Sequence, residues 1–289
     1  MSNTNQQGVD LSLRQFIKSL GGIAGGAALL STVPWLSSCT PEKLQEIQGQ
    51  KARVALIGTG SRGRYHIHNL FQIPHAEIVA ICDDYEPHLK LAAELCPNAK
   101  QYADYHKLLE DKDIDGVIIS TPLGSHAQIV LDSMAAGKHV FCEKPITVNY
   151  ELSCEMAEEA RRQNKIVNIG VCNRYHKSVE MLEELNREGR FGNIYHVYCS
   201  FRCFRSIPGL GGAFTTKSES GGGVLIDNVI HELDNILYLM DYPKPKAVLA
   251  SQSFVNSDLH SKLKSTSAFW KSEDTNKYET DVETSISGY

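Results

Sequence analysis

From residue 51 onward the chain alternates short apolar runs with amphipathic stretches. Runs at 53–57, 77–82, 115–120 and 138–142, with a further one at 165–171, are rich in Val, Ile and Leu. Between and after them lie helical patterns near 62–71, 86–95, 104–111, 124–136 and 149–164, the last with Asn149 placed as a cap. Strands separated by helices of this length predict βαβ units and an α/β fold with a parallel, doubly wound sheet. Beyond residue 172 the rhythm changes. A helix near 176–188, a β-like run Tyr195–Arg202, a glycine-rich loop at 206–223, a helix at 228–240 and a strand over Ala247–Val255 predict an α+β second domain. After a polar stretch at 256–280, Val282–Tyr289 alternates like an edge strand and then stops, so the open mixed sheet of this domain is expected to be incomplete. The predicted boundaries are 51–172 for the first domain and 173–289 for the second.

The first apolar run breaks into Gly58-Thr-Gly60-Ser61-Arg62-Gly63 and then into a helical pattern. Gly58 permits the turn off the strand, Gly60 lets backbone approach a pyrophosphate, and Gly63 lets the helix pack close to the sheet. The helix aims unpaired N–H groups and the positive end of its dipole at the phosphates. A second strand ends in Asp83 about 20 residues further on, where a carboxylate accepts hydrogen bonds from an adenosine ribose. Strand, spacing and acid together predict a dinucleotide site. The acid favours NAD over NADP, because it repels a 2′-phosphate.

Composition narrows the partners. A formal net charge of −5 argues against nucleic acid, which calls for a basic face. No internal stretch approaches the ~20 apolar residues of a membrane-spanning helix. The N-terminus stands apart: Arg14 and Lys18 precede the small, apolar run from Gly21 to Leu30, and Leu36-Ser-Ser-Cys39 follows. Residues 1–39 therefore read as a secretory signal and 40–50 as a polar tether. The tetrapeptide resembles a bacterial lipobox, in which Cys39 is lipidated and becomes the mature N-terminus. Ser12–Lys18 resembles a twin-arginine export signal with Leu13 where the first arginine stands. An exported periplasmic or cell-envelope lipoprotein is expected, touching the membrane only through its signal and anchor. Of the other cysteines, Cys82, Cys142, Cys172 and Cys199 lie in or beside β-type runs and read as small core hydrophobes. Cys199 and Cys203 lack a second His/Cys pair, so neither a metal site nor a disulfide framework is expected.

Two further motifs carry chemistry. Glu143-Lys144-Pro145 directly follows a strand, which puts Lys144 at the strand's carboxyl end, the ligand edge of an open parallel sheet. A lysine there can donate to a substrate oxygen, although the same residue also reads as a solvated surface group. Asp227 and His231, four apart in a helical pattern, share one face. A neutral imidazole is a natural base for a hydroxyl proton, and a nearby carboxylate stabilises the imidazolium that forms. A capping Asp and a core histidine would look the same, and the residues alone leave both readings open.

Taken in order, Gly58-x-Gly60-x-x-Gly63, Asp83, Thr121-Pro122…His126, Glu143-Lys144-Pro145, Asn173-Arg174-Tyr175 and Asp227-x-x-x-His231 resemble the glucose–fructose oxidoreductase/inositol dehydrogenase (Gfo/Idh/MocA) family over residues 51–250. The resemblance implies a Rossmann domain joined to an α/β domain that often mediates homo-oligomers. It implies an NAD(P)-dependent oxidoreductase acting on CH–OH groups of a sugar, cyclitol or glycoside. Lys144 and His231 would then flank the substrate, with Asp227 nearby. Thr121, Pro122, His126, Glu143 and Lys144 would lie along the cofactor, with Ser61 and Arg62 in its glycine loop. Arg174 and Tyr175 would contact substrate. Residues 205–217 resemble a substrate-side loop of an exported subgroup. Some relatives use bound NAD for transient oxidation and eliminate a glycosidic bond, and a non-catalytic cofactor or sugar sensor is a further alternative. Position 229 is valine where the family carries glycine.

Overall fold

The run Ala52–Ile57 becomes strand β1, and its neighbours bury it on both faces. In the computed structural model, which describes residues 51–202, 215–254 and 281–289, the elements of the first domain follow in order. They are α1 (Ser61–Leu70), β2 (Ala76–Cys82), α2 (Glu86–Leu95), β3 (Lys100–Tyr102), α3 (Tyr105–Leu109), β4 (Gly116–Ile119), α4 (Leu123–Ala135), β5 (His139–Cys142), α5 (Tyr150–Arg162) and β6 (Val167–Ile169). The strands form a six-stranded sheet in the order β3-β2-β1-β4-β5-β6, every neighbouring pair parallel. Alternate residues explain the two layers. Val54, Leu56, Ile81, Ile118 and Phe141 pack with Ile67, Leu70 and Ala92 of α1 and α2. Ala55, Ile57, Val117, Ile119 and Val140 pack with Leu108, Ile129, Val130, Met134 and Met156 on the other face. A strand buried on both sides must be apolar at nearly every position, which is why these runs do not alternate with polar residues. The strand order reverses between β1 and β4, and ligands bind such sheets at that switch, beyond the strands' carboxyl ends.

The chain separates into two units: the described residues through Thr121 with Ser125–Cys172, and Pro122–Gly124 with the described residues from Asn173 on. A 3₁₀ turn that begins at the boundary (Cys172–Tyr175) leads into α6 (Lys177–Arg187) of the second. Further on lie α7 (Lys217–Ser220), a π-helical turn (Leu225–Val229), α8 (Ile230–Leu239) and the antiparallel pair β7 (Ala250–Ser253) and β8 (Ser285–Gly288). Gly223, the last of the triple glycine before the π turn, has a packing cause. A Cβ on Gly223 would lie 2.0 Å from the Glu283 carbonyl oxygen. That approach lets the Glu283 carboxylate accept from the N–H groups of Gly223 and Leu225, at 2.8 and 3.3 Å, at the start of the helical segment.

Several expectations shift. Lys-Gln-Tyr has no apolar signal, and β3 forms there by pairing with β2 at the sheet edge. Tyr195–Arg202 is not a strand: Tyr195 and Tyr198 are 91% and 81% exposed, and no described segment pairs with the run. Cys199 is consequently exposed, not a core hydrophobe, whereas Cys82 and Cys142 are buried. Of the strand expected over Ala247–Val255, the described residues form β7 at Ala250–Ser253, and Val255 lies outside them. Residues 1–50, including Cys39, residues 205–214 of the expected substrate-side loop and the polar stretch 256–280 lie outside the described residues.

Candidate functional site

At the carboxyl end of β1, Gly58 takes φ +87°, and a Cβ there would lie 2.7 Å from the Ser120 and Thr121 backbone. A Cβ on Gly63 would lie 2.1 Å from the Gly58 carbonyl oxygen, so the loop and α1 close on each other only because both residues are glycine. Ser61 opens α1 after Gly60, and the first turn carries no acidic side chain to compete for its N–H groups. Asp83 follows β2 and grips the same loop. Its Oδ2 accepts from the Thr59 N–H at 2.6 Å and from the Thr59 hydroxyl at 3.1 Å. Its Oδ1 accepts from the Tyr85 N–H at 3.0 Å. The carboxylate thus sits against the glycine loop, where a dinucleotide's ribose is expected. An unbranched backbone cradle beside this acid fits NAD.

The turns after β4 and β5 are tied to one another. The Ser125 hydroxyl donates to Thr121 Oγ1 at 2.8 Å, and Pro122 precedes α4. His126, buried in α4, has Nε2 2.8 Å from the Thr121 carbonyl oxygen and Nδ1 2.9 Å from that of Pro145. A neutral imidazole donates to one of these oxygens, and the imidazolium donates to both. His126 therefore braces the two turns, and the Lys144–Pro145 peptide between them is cis.

Glu143 is only 5% exposed. Arg62 Nε and His66 Nε2, one turn apart on α1, both donate to its Oε1 at 2.7 Å. Burial alone would push the carboxyl up. The hydrogen bond from His66 and the positive charge of Arg62 outweigh it and hold the group at about 2. Glu143 is thus ionised, and the Arg62 side chain engages it instead of turning toward the glycine loop. The part played by His66 is not legible in the sequence. Nothing in a lone histidine on a helix reveals a carboxylate 77 residues away.

In the second unit, Asp227 lies in the π turn and His231 in the first turn of α8. A π turn inserts an extra residue into the helical path and often accompanies functional groups. Val229 closes it, in the position where a glycine was expected. Arg174, expected to meet substrate, donates from Nε to Asp234 Oδ2 at 2.6 Å and from Nη2 to Oδ1. Its guanidinium also lies 5.0 Å from the Tyr238 ring centroid and 5.7 Å from that of Tyr242. The 3₁₀ turn is thereby clamped to α8. Burial pushes the Tyr175 phenol beside it up. Arg174→Ala is expected to lower the unfolding free energy by about 2 kcal/mol, read by urea denaturation, because it strands Asp234 in a half-buried site.

A glycine cradle at the switch point of a 321456 sheet, with an acid after β2, defines an NAD-binding Rossmann domain. Residues 52–171 match the oxidoreductase family with NAD-binding Rossmann fold, and residues 179–287 match the GFO/IDH/MocA C-terminal domain. The chain belongs to the Gfo/Idh/MocA family. It is 30% identical over 188 residues to the myo-inositol 2-dehydrogenase of Thermotoga maritima, covering 65% of this chain and 54% of that one. It is 33% identical over 201 residues to the D-glucoside 3-dehydrogenase of Escherichia coli, covering 68% and 56% respectively. The chain thus spans little more than half the length of these curated relatives. Among solved structures, the WlbA dehydrogenase of Chromobacterium violaceum, in complex with NADH and UDP-GlcNAcA, superposes with a TM-score of 0.66 at 25% identity. That match covers 83% of this chain and 63% of the other.

Proposed function

We propose that this protein is an NAD-dependent oxidoreductase that moves hydride between a CH–OH group of a sugar, cyclitol or glycoside and nicotinamide. The observation that carries the reading is an Asp83-backed glycine cradle in a chain of this family that retains Lys144, Asp227 and His231. Bound NAD supplies the hydride acceptor. His231 takes the proton of the reacting hydroxyl, Asp227 stabilises the imidazolium that results, and Lys144 hydrogen-bonds the oxygen as it becomes a carbonyl. The test is to incubate the full chain with NAD and a panel containing myo-inositol and methyl β-D-glucopyranoside, following NADH absorbance. Stoichiometric NADH with one member supports the reading. Release of nitrophenol from a nitrophenyl glucoside without NADH would reassign the chain to redox-neutral elimination. NAD binding with neither reaction on a broad polyol panel would make it a sensor.

The acid after β2 makes NAD the preferred nucleotide. Asp83→Ser keeps an oxygen near Thr59 and removes the charge. It is expected to raise the affinity for NADP relative to NAD by at least about tenfold, measured by titrating both nucleotides. An unchanged ratio would mean that Asp83 serves only the loop.

The N-terminal motifs support an exported, cell-envelope lipoprotein anchored through Cys39. Incorporation of labelled palmitate that disappears in Cys39→Ala would bear this out, and a soluble, unlabelled native chain would refute it. Val248, Leu249 and Tyr289 lie largely exposed beside the β7–β8 pair, which supports a homo-oligomer. Sedimentation as a monomer at micromolar concentration would speak against it.

A further inference from the structure

Glu143 is a buried anion whose two basic partners come from one helix. A buried carboxylate packs no better than an apolar side chain of the same shape, so the arrangement calls for a reason beyond packing. Its geometry supplies one. Oε1 is fastened to α1 through Arg62 and His66, each at 2.7 Å. Oε2 lies 3.3 Å from the Lys144 backbone nitrogen, under the turn that carries Lys144. It also lies 3.0 Å from where a Cβ on Gly170 would stand, so the glycine after β6 makes room for it. The His66 ring is in turn held edge-on by Phe141 of β5, with centroids 5.5 Å apart. One carboxylate therefore joins the helix behind the glycine cradle to the strand end that presents Lys144.

We propose that His66 is a positioning residue for Lys144: by donating to Glu143 it fixes the Lys144–Pro145 turn against α1, so that the pyrophosphate cradle and the lysine keep one geometry. The inference rests on the reading that Lys144 acts on substrate. Its consequence for the position of Lys144 is measurable without turnover. His66→Leu keeps the buried volume and removes the donor. His66→Gln keeps an N–H donor close to the position of Nε2.

Trace acetylation of the full-length variants with acetic anhydride, in the presence of NAD, reads the accessibility of Lys144 by peptide mass spectrometry, with exposed Lys90 as the internal standard. Lys144 is expected to react at least about fivefold faster in His66→Leu than in the wild type, because its turn opens locally, and within about twofold of wild type in His66→Gln. Where a polyol is turned over, kcat falls in the leucine variant and recovers in the glutamine variant, while the KM for NAD stays within about twofold in both. A folded His66→Leu protein whose Lys144 reacts at the wild-type rate overturns the proposal. So does equal acceleration in the leucine and glutamine variants, which would leave His66 a packing role alone. If His66→Leu does not fold, His66→Asn, too short to reach Glu143, takes its place with the same expectation and the same overturning result. If no polyol is oxidised by the wild type, the functional reading fails while the acetylation still decides the positioning role.

Discussion

Alanine at His231 is expected to lower kcat about a hundred- to ten-thousandfold, the range that a positioned acid–base group contributes. The same direction is expected for Lys144→Ala, with a smaller loss if its hydrogen bond to the reacting oxygen is replaced by water. On the proposed mechanism the proton leaves the hydroxyl only as hydride departs, so His231 would act mainly in the transition state. Its loss should lower kcat and kcat/KM together and leave the KM for the polyol within about twofold. Asp227→Asn should cost less than His231→Ala, since it removes the stabilisation of the imidazolium and not the base itself. These comparisons require steady-state rates for the four proteins on one oxidised polyol, with NAD binding titrated alongside. Wild-type turnover in either alanine variant would remove that residue from the chemistry. A rise in KM alone would make it a substrate contact.

The second large effect is on stability. Glu143→Ala leaves the buried His66 and the partly exposed Arg62 without their acceptor, and is expected to cost about 1–3 kcal/mol of unfolding free energy by urea denaturation. Glu143→Gln should cost less, because the amide oxygen still accepts from one of the two donors. The pH dependence has a definite sign. Folding holds the Glu143 carboxyl at about 2, below its ordinary value of 4.5, so the folded protein binds fewer protons in that window than the unfolded chain. The contribution is complete above about pH 4.5 and is lost as pH falls toward about 2. Acid unfolding of the wild type should therefore steepen in this window, and Glu143→Gln should flatten the curve there. Parallel curves for wild type and Glu143→Gln would show that the ion pairs carry no net stability.

Local pattern sets much of the first domain. Apolar runs and helical stretches alternate with a short period, so β1, β2, β4, β5 and the helices between them follow from neighbours alone. The glycine spacing and Asp83 are equally local, because the turn and the strand end that use them lie within one βαβ unit. Asp227 and His231 are legible as a pair only through their four-residue spacing; the fold puts the first in a π-helical turn and the second in the α-helix that follows. β3 is different, because an edge strand of Lys, Gln and Tyr is stabilised by its partner and not by its own residues. The run at Tyr195 departs in the opposite sense: it has the composition of a strand, but no described strand stands beside it.

Only the tertiary structure joined residues far apart in the chain. It set His66 on Glu143 across 77 positions, turning an ordinary helix histidine into a partner of the carboxylate next to Lys144. It set Arg174 on Asp234 across 60 positions, clamping a residue that its motif had pointed toward substrate. It seated Glu283 at the head of the Asp227 segment, which explains Gly223 in the triple glycine that precedes it. The sequence determined the elements, because helix and strand periods arise from a few adjacent residues. The structure alone decided which buried charges meet, because ion pairing depends on where the folded chain returns and not on spacing along it.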